Sequence, residues 1–288
     1  MTTMVIRFSS LGDIVLAGSV TGALKPVIFL TSARYAEIAA ALPGVIEVRT
    51  WEESGRSALN GVDRIIDLHA SLRSRWATLG HPGTVRRAKK YSVLRQKRVM
   101  FKTGSPPPTV VARYADAAQV EVASHPWLPQ AQGDTLLLIP GAQHATKCWP
   151  ADRFIELGRQ WTGPVAVIGS HHEKSTVEYI AESIGSSAYA IAEKGFTQTL
   201  STISKGRYAV GGDTGLMHLC AASGVPTIGL FGPTTSTDGF WCHPGVAMET
   251  PLPCRPCTRH GGNVCPMGDH KCMDDIQVDA VWTALGSL

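Results

Sequence analysis

Short apolar runs alternate with longer amphipathic stretches over most of the chain, and the alternation predicts strands and helices in turn. "MVIRFS" near the N-terminus reads as a strand, and a helix follows from about Ile14 to Leu24. "VIFL" is the next strand, and "SARYAEIAAAL" a helix with Ser32 in the N-cap position. "IEVRT" and "RIIDL" are further strands. Such βαβ alternation predicts a parallel sheet covered by helices.

The pattern blurs between Gly80 and Thr109 and ends in the turn-rich "TGSPPPT". A helix is expected from about Val110 to Ala123. The Pro/Gln/Gly-rich "SHPWLPQAQGD" then marks a boundary, giving domains at 1–132 and 133–288. Alternation restarts at "TLLLIPG" and runs through "VAVIG", "AYAIA", "YAVGG" and "TIGLFGP", with helical patterns between them. From Thr234 the chain is expected to be irregular and Cys-rich until a closing helix, "IQVDAVWTAL". Two consecutive α/β halves predict a doubly wound fold whose ligands bind outside the carboxyl ends of the strands, in a cleft between the halves.

Composition narrows the class. The 288 residues are 44% hydrophobic and only 17% charged, which excludes long disorder and leaves room for two compact domains. "MTTMVIRFSSLGD" reads as a first strand rather than a secretory leader, and no run of about 18 apolar residues exists to span a membrane. The expected compartment is therefore the cytoplasm, with the seven cysteines reduced. Residues 1–134 hold 17 Lys/Arg against 10 Asp/Glu, whereas residues 135–288 hold 10 against 13. A basic half predicts an anionic partner: nucleic acid, anionic lipid or an anionic sugar.

Three segments carry candidate chemistry. In "SSLGD", Gly12 allows a tight turn, and Asp13 stands at a helix start on the sheet's carboxyl edge. There it is a general base for a sugar hydroxyl, or only a helix cap. In "PGAQHATKCWP", Lys147 lies in the loop before a helix. It is a point charge for a phosphate, or a solvated lysine beside a packed Trp149. In "VGGDTGLMHLCAASGVPTIGLFGPT", a strand ends at Gly211-Gly212 and a helix opens near Thr214. Its free N–H groups and dipole suit a diphosphate. Thr214 adds a hydroxyl, His218 shares its helix face, and Asp213 orients the loop or meets donor hydroxyls. The alternative makes Asp213 an N-cap and His218 a packed polar residue.

Taken together and in this order, "IRFSSLGDIVL", "PGAQHATKCWPADRF" and "GGDTGLMHLCAASGVPTIGLFGPT" resemble glycosyltransferase family 9, which includes the ADP-heptose:lipopolysaccharide heptosyltransferases. The resemblance implies a GT-B fold, α/β with two Rossmann-like domains, and inverting transfer without a required cofactor. It implies Asp13 as catalytic base, with Ser10 and Gly12 beside it at the acceptor. Lys147, Asp213, Thr214, Gly215 and His218 are implied donor contacts, and Glu173 in "GSHHEK" a contact to the donor nucleoside. Arg73 and Arg75 in "IIDLHASLRSR" resemble basic residues that face the acceptor. The implied partners are a nucleotide sugar, ADP-heptose, and an anionic glycolipid of the lipopolysaccharide inner core, reached by peripheral contact with the inner membrane. The first domain is expected to be shorter than the family's.

Two segments lie outside these motifs. Residues 86–102 hold eight basic residues and no acid. They read as an acceptor or membrane contact, or as a solvated loop. With only Tyr91 and Phe101 to stack on bases, nucleic acid is not the expected partner. In the tail, Cys254 and Cys257 form a C-x2-C pair, followed by Cys265 and Cys272. These four are candidate ligands for structural zinc or an iron–sulfur cluster, or reduced packing cysteines. Cys148, Cys220 and Cys242 read as isolated packing or surface residues. Rival functions are transfer of another nucleotide sugar, nucleotide-sugar epimerisation, or a non-catalytic binding module.

Overall fold

The computed structural model describes all residues except 123–125, 193–194 and 239–242, so Cys242 lies outside the described residues. The chain forms two compact units. The first comprises Met1–Tyr91 and Pro108–Leu128, the second Ser92–Pro107 and Pro129–Leu288. The division read from the sequence at residue 132 put residues 92–107 in the first half; in the structure they pack in the second unit.

The first unit holds β1 (Thr3–Ile6), α1 (Leu11–Leu24), β2 (Val27–Thr31), α2 (Ala36–Ala40), β3 (Val45–Thr50), α3 (Trp51–Ser54), β4 (Arg64–Asp67), α4 (Leu72–Ala77) and β5 (Thr84–Arg87). After α5 (Ser92–Phe101), which belongs to the second unit, α6 (Val110–Ala118) returns to the first. All strand pairs are parallel, in the order β3-β2-β1-β4-β5. Central strands are buried on both faces: Met4, Ile6, Ile28, Leu30 and Ile65 join Phe8 in one core, while Val5, Phe29 and Ile66 are buried on the other face. That explains their continuous apolar runs. The edge strands β3 and β5 carry the charges Glu47, Arg49, Arg86 and Arg87.

The second unit holds β6 (Thr135–Ile139), α7 (Ala151–Gln160), β7 (Val165–Ile168), α8 (Lys174–Ile184), β8 (Ala188–Ile191), α9 (Phe196–Ile203), β9 (Gly206–Gly212), α10 (Gly215–Ala222), β10 (Thr227–Phe231), β11 (Gly245–Glu249), α11 (Lys271–Asp274) and α12 (Val278–Gly286). The parallel order is β11-β10-β9-β6-β7-β8. Numbered within each unit, both sheets run 3-2-1-4-5, and the second adds a sixth strand. This is the doubly wound order, in which the crevice between first and fourth strands is the ligand edge. The two-Rossmann, GT-B-type architecture expected from the sequence holds.

Several local expectations need correction. The helix expected to reach Ala123 ends at Ala118, where Gln119 turns left-handed at φ +57°. The blurred stretch contains β5 and α5, so the basic run is part strand and part helix rather than loop. The tail is not wholly irregular: β11 pairs with β10. Ser32 occupies its N-cap position but makes no cap itself; the Glu52 carboxylate accepts from the Ala33 N–H at 2.9 Å instead. No helix among the described residues is long and apolar enough to cross a membrane.

Candidate functional site

In the first unit the residues of interest gather where β1 and β4 end. The chain leaves β1 through Arg7, and α1 opens with a capping box of Ser10 and Asp13. Ser10 is the N-cap and Asp13 the third helical residue, so Asp13 is not itself the N-cap but closes the capping box. The Ser10 hydroxyl donates to Asp13 Oδ2 at 2.8 Å, and the Arg7 guanidinium pairs with the same oxygen. The buried Tyr114 hydroxyl, from α6, donates to Asp13 Oδ1 at 3.3 Å. Gly12 is buried in the first turn of α1.

Across the crevice, the fully buried Asp67 ends β4. It accepts from the Ala70 N–H at 2.7 Å, the His69 N–H at 3.1 Å and the Ser74 hydroxyl at 2.8 Å, and Arg87 pairs with it at 3.3 Å. These bonds fix the loop that carries His69 into α4. The His69 ring meets Phe8 edge-on at 5.2 Å. Burial, then the charges of Arg7 and Lys90, lower its pKa to about 4, against the opposing pull of Asp13. The imidazole beside Asp13 is therefore neutral at physiological pH. Arg73 lies 4.4 Å over the Phe8 ring and 3.9 Å from Glu52; Arg75 is exposed on the same helix.

In the second unit the corresponding crevice lies between β6 and β9. Lys147, in the loop after β6, donates to Asp213 Oδ2 at 2.6 Å, just beyond the end of β9. Asp213 is not the N-cap: Thr214 holds that position at the start of α10 and makes no side-chain cap. Gly215 is the first helical residue, so the first-turn N–H groups are left for an anion. The hydroxyls of Thr214 and of Thr234, beyond β10, are buried without a hydrogen-bond partner among the described residues. Orphan hydroxyls at this sheet edge are candidate ligand contacts. His218 is buried one turn into α10, with Nε2 3.9 Å from Asp213 Oδ1. Gly211 and Gly212 allow the strands and the Lys147 loop to close up: a β-carbon on Gly212 would lie 2.8 Å from the Lys147 carbonyl oxygen.

Glu173 stands beyond β7. Its Oε2 accepts from the Ser170 N–H at 2.6 Å and the Ser170 hydroxyl at 2.8 Å, and its carboxylate lies against Gly141 at the end of β6. Trp149 is buried, meets Phe154 edge-on at 4.9 Å and donates to the Ile276 carbonyl at 3.0 Å.

The structure thus joins Asp13 with Ser10, and Lys147 with Asp213, Thr214 and His218. It adds Arg7, His69, Tyr114 and Asp67, which the sequence reading missed. It does not assemble the tail cysteines into a ligand set: among the described residues, no group of three or more His, Cys, Asp or Glu is arranged for a metal ion. Cys254, Cys257, Cys265 and Cys272 are free thiols in differing settings. Burial pushes Cys272 up to about 11, whereas backbone N–H groups of His270 and Met267 hold Cys265 below the ordinary thiol value. Cys220 is buried, and burial pushes its thiol upward as well.

A family model described as glycosyltransferase family 9 (heptosyltransferase) matches residues 69–260. Lipopolysaccharide heptosyltransferase 1 of Pseudomonas aeruginosa is 28% identical over 148 residues, which are 49% of this chain and 41% of that protein. The chain thus matches under half the length of that relative. Among solved structures, the fold is similar to Escherichia coli ADP-heptose lipopolysaccharide heptosyltransferase II, with a TM-score of 0.72 and 20% identity over 100% of this chain and 98% of that one. It is also similar to the E. coli heptosyltransferase WaaC with ADP-2-deoxy-2-fluoro heptose, with a TM-score of 0.73 and 17% identity over 100% and 99%.

Proposed function

Because the chain belongs to glycosyltransferase family 9, we propose that it is an inverting transferase that moves heptose from ADP-heptose to a phosphorylated glycolipid of the lipopolysaccharide inner core. The observation that carries the reading is the Lys147–Asp213 contact, at 2.6 Å across the first-strand/fourth-strand crevice of the second unit, beside the open N-terminus of α10. Lys147 and the helix N-terminus supply positive charge for a diphosphate leaving as an anion, so the step needs no metal from the protein. Thr214 donates to a phosphate oxygen, Asp213 and His218 hold the donor, and Glu173 faces its nucleoside.

Asp13 takes the proton of the acceptor hydroxyl as that oxygen attacks the anomeric carbon from the face opposite the leaving group. Arg7, Ser10 and Tyr114 fix its carboxylate, so little reorganisation accompanies the step. Ser10, Gly12, Arg73 and Arg75 line the acceptor.

The same reading puts the protein on the cytoplasmic face of the inner membrane. Leu72, Trp76 and Leu79 are 87%, 56% and 66% exposed, Arg56 lies 5.4 Å over the Trp76 ring, and Arg73 and Arg75 flank them. An apolar and aromatic face rimmed by arginines suits an anionic lipid surface. Co-sedimentation with vesicles containing anionic lipid is expected, and a Leu72→Asp/Trp76→Asp protein should stay in solution. Equal sedimentation of that variant would refute the lipid contact.

Donor identity is tested by melting temperature with ADP, UDP, GDP and their sugar conjugates, since a ligand of the folded state raises it. ADP-heptose is expected to give the largest rise. A rise led by another nucleotide would change the donor, and no rise with any of them would contradict transfer.

A further inference from the structure

The basic run is divided between the units, and its helical part, α5, packs on the cysteine-rich tail of the second. Arg95 donates to the Arg259 carbonyl at 2.9 Å, Arg98 to the Thr237 hydroxyl at 3.3 Å, and Lys102 to the Pro256 carbonyl at 2.5 Å. The tail is tied in turn to the loop that carries Lys147. The Gly262 carbonyl accepts from the Thr146 N–H at 3.0 Å and its hydroxyl at 2.8 Å, and the Gly262 N–H donates back to that hydroxyl at 2.9 Å. Gly261, at φ +98°, lies against the His144 ring, where a β-carbon would come within 2.8 Å of His144 Cβ.

A continuous set of contacts therefore runs from Arg95 through Arg259 and the 260–262 segment to Thr146, Lys147 and Asp213. It concentrates positive charge. Arg259 Nη2 is 3.4 Å from His260 Nε2. Partial burial, followed by the charges of Arg95, Arg259, Lys147 and His144, holds the His260 imidazole below its ordinary value. Asp213, the carboxylate in this set, is already matched by Lys147. With His260 held towards its neutral form and Lys147 matched by Asp213, Arg95 and Arg259 supply the positive charge for an anion here, and the tail segment they pack on is tied to the loop that leads to Lys147.

We propose that Arg95 and His260 complete, with Lys147, a binding site for the diphosphate of the nucleotide donor. The inference rests on the donor reading above and extends it to a helix and a tail segment that the motifs do not reach. Arg95 then adds a cation from α5 to those of Lys147 and the N-terminus of α10, so α5 is a part of the donor site and not only of a basic surface. The ligand chemistry is a phosphate-class anion, and a donor site is marked by a loss of ADP affinity as well as of pyrophosphate affinity.

The test is calorimetric titration of the full chain with ADP, inorganic pyrophosphate and adenosine, for the unaltered protein, Arg95→Ala, Arg95→Lys and His260→Gln. Arg95→Ala is expected to weaken ADP and pyrophosphate roughly tenfold, the scale of one charge-assisted hydrogen bond, and to leave adenosine unchanged. Arg95→Lys should recover part of the loss, and His260→Gln should show a smaller one. If Arg95→Ala fails to fold, the other two variants carry the same comparison. ADP binding unchanged in the variants overturns the proposal and leaves the donor reading standing. An unaltered protein that binds neither ADP nor pyrophosphate overturns both.

Discussion

Asp13 shows how a short motif depends on distant residues. Ser10 and Gly12 are its neighbours in sequence, whereas Tyr114 reaches it from a helix 101 residues away, and His69 comes from the loop after β4. His69 has a measurable consequence. Its folded pKa of about 4 lies below the ordinary 6.5, so between these values the unfolded chain binds a proton that the folded chain does not. Its contribution to stability is complete above about pH 6.5 and is lost as pH falls towards 4, by roughly 1–2 kcal/mol once solvent screening is allowed for. The melting temperature should therefore fall between pH 7.5 and pH 5, and by several degrees less in a His69→Gln protein. Parallel falls in the two proteins would show that His69 is not held neutral. At this scale Asp13, Lys147, Asp213 and Thr214 could be singled out as candidates because each lies between the end of a strand and the first turn of the next helix. Arg7, His69 and Tyr114 could not, because what marks them is a contact in space and not a local pattern.

At the scale of elements, the apolar runs read well where strands are central and poorly at the edges. β5 is "TVRR" and α5 is "SVLRQKRVMF"; neither has the run or period that marks a buried element, and both were read as part of a blurred stretch. β11 hides in the tail because it is a half-buried edge strand. Packing between elements also reverses a propensity rule. Alanine favours a helix over glycine by about 1 kcal/mol. Gly18 in α1, however, lies under Trp127, where a β-carbon would meet the indole Cδ1 at 2.5 Å, and the Trp127 Nε1–H donates to the Val15 carbonyl at 3.1 Å. Gly18→Ala is therefore expected to destabilise the protein by about 1–3 kcal/mol through overpacking. Urea unfolding checks the sign, and a variant as stable as the parent would mean that Trp127 does not pack there.

Across the whole molecule, the charge asymmetry read along the sequence softens once the units are known. The first unit holds 13 Lys/Arg against 9 Asp/Glu and the second 14 against 14, because α5 and the turn after it carry Arg95, Lys97, Arg98 and Lys102 into the second. Linear charge counts misplace a segment whose unit is set by packing. Strand order, by contrast, repeats between the units, and in each the motif residues stand at the same crevice, between first and fourth strands. The proposed function assigns the proton to Asp13 at the crevice of the first unit and the diphosphate to Lys147 and α10 at that of the second. The most direct measurement is ADP release from ADP-heptose, with and without a heptose-deficient inner-core glycolipid, by the parent protein and by Asp13→Ala. Release is expected to require the glycolipid and to fall at least a hundredfold in the variant while ADP still binds. Release without the glycolipid, or at the parent rate in Asp13→Ala, would contradict the proposed function.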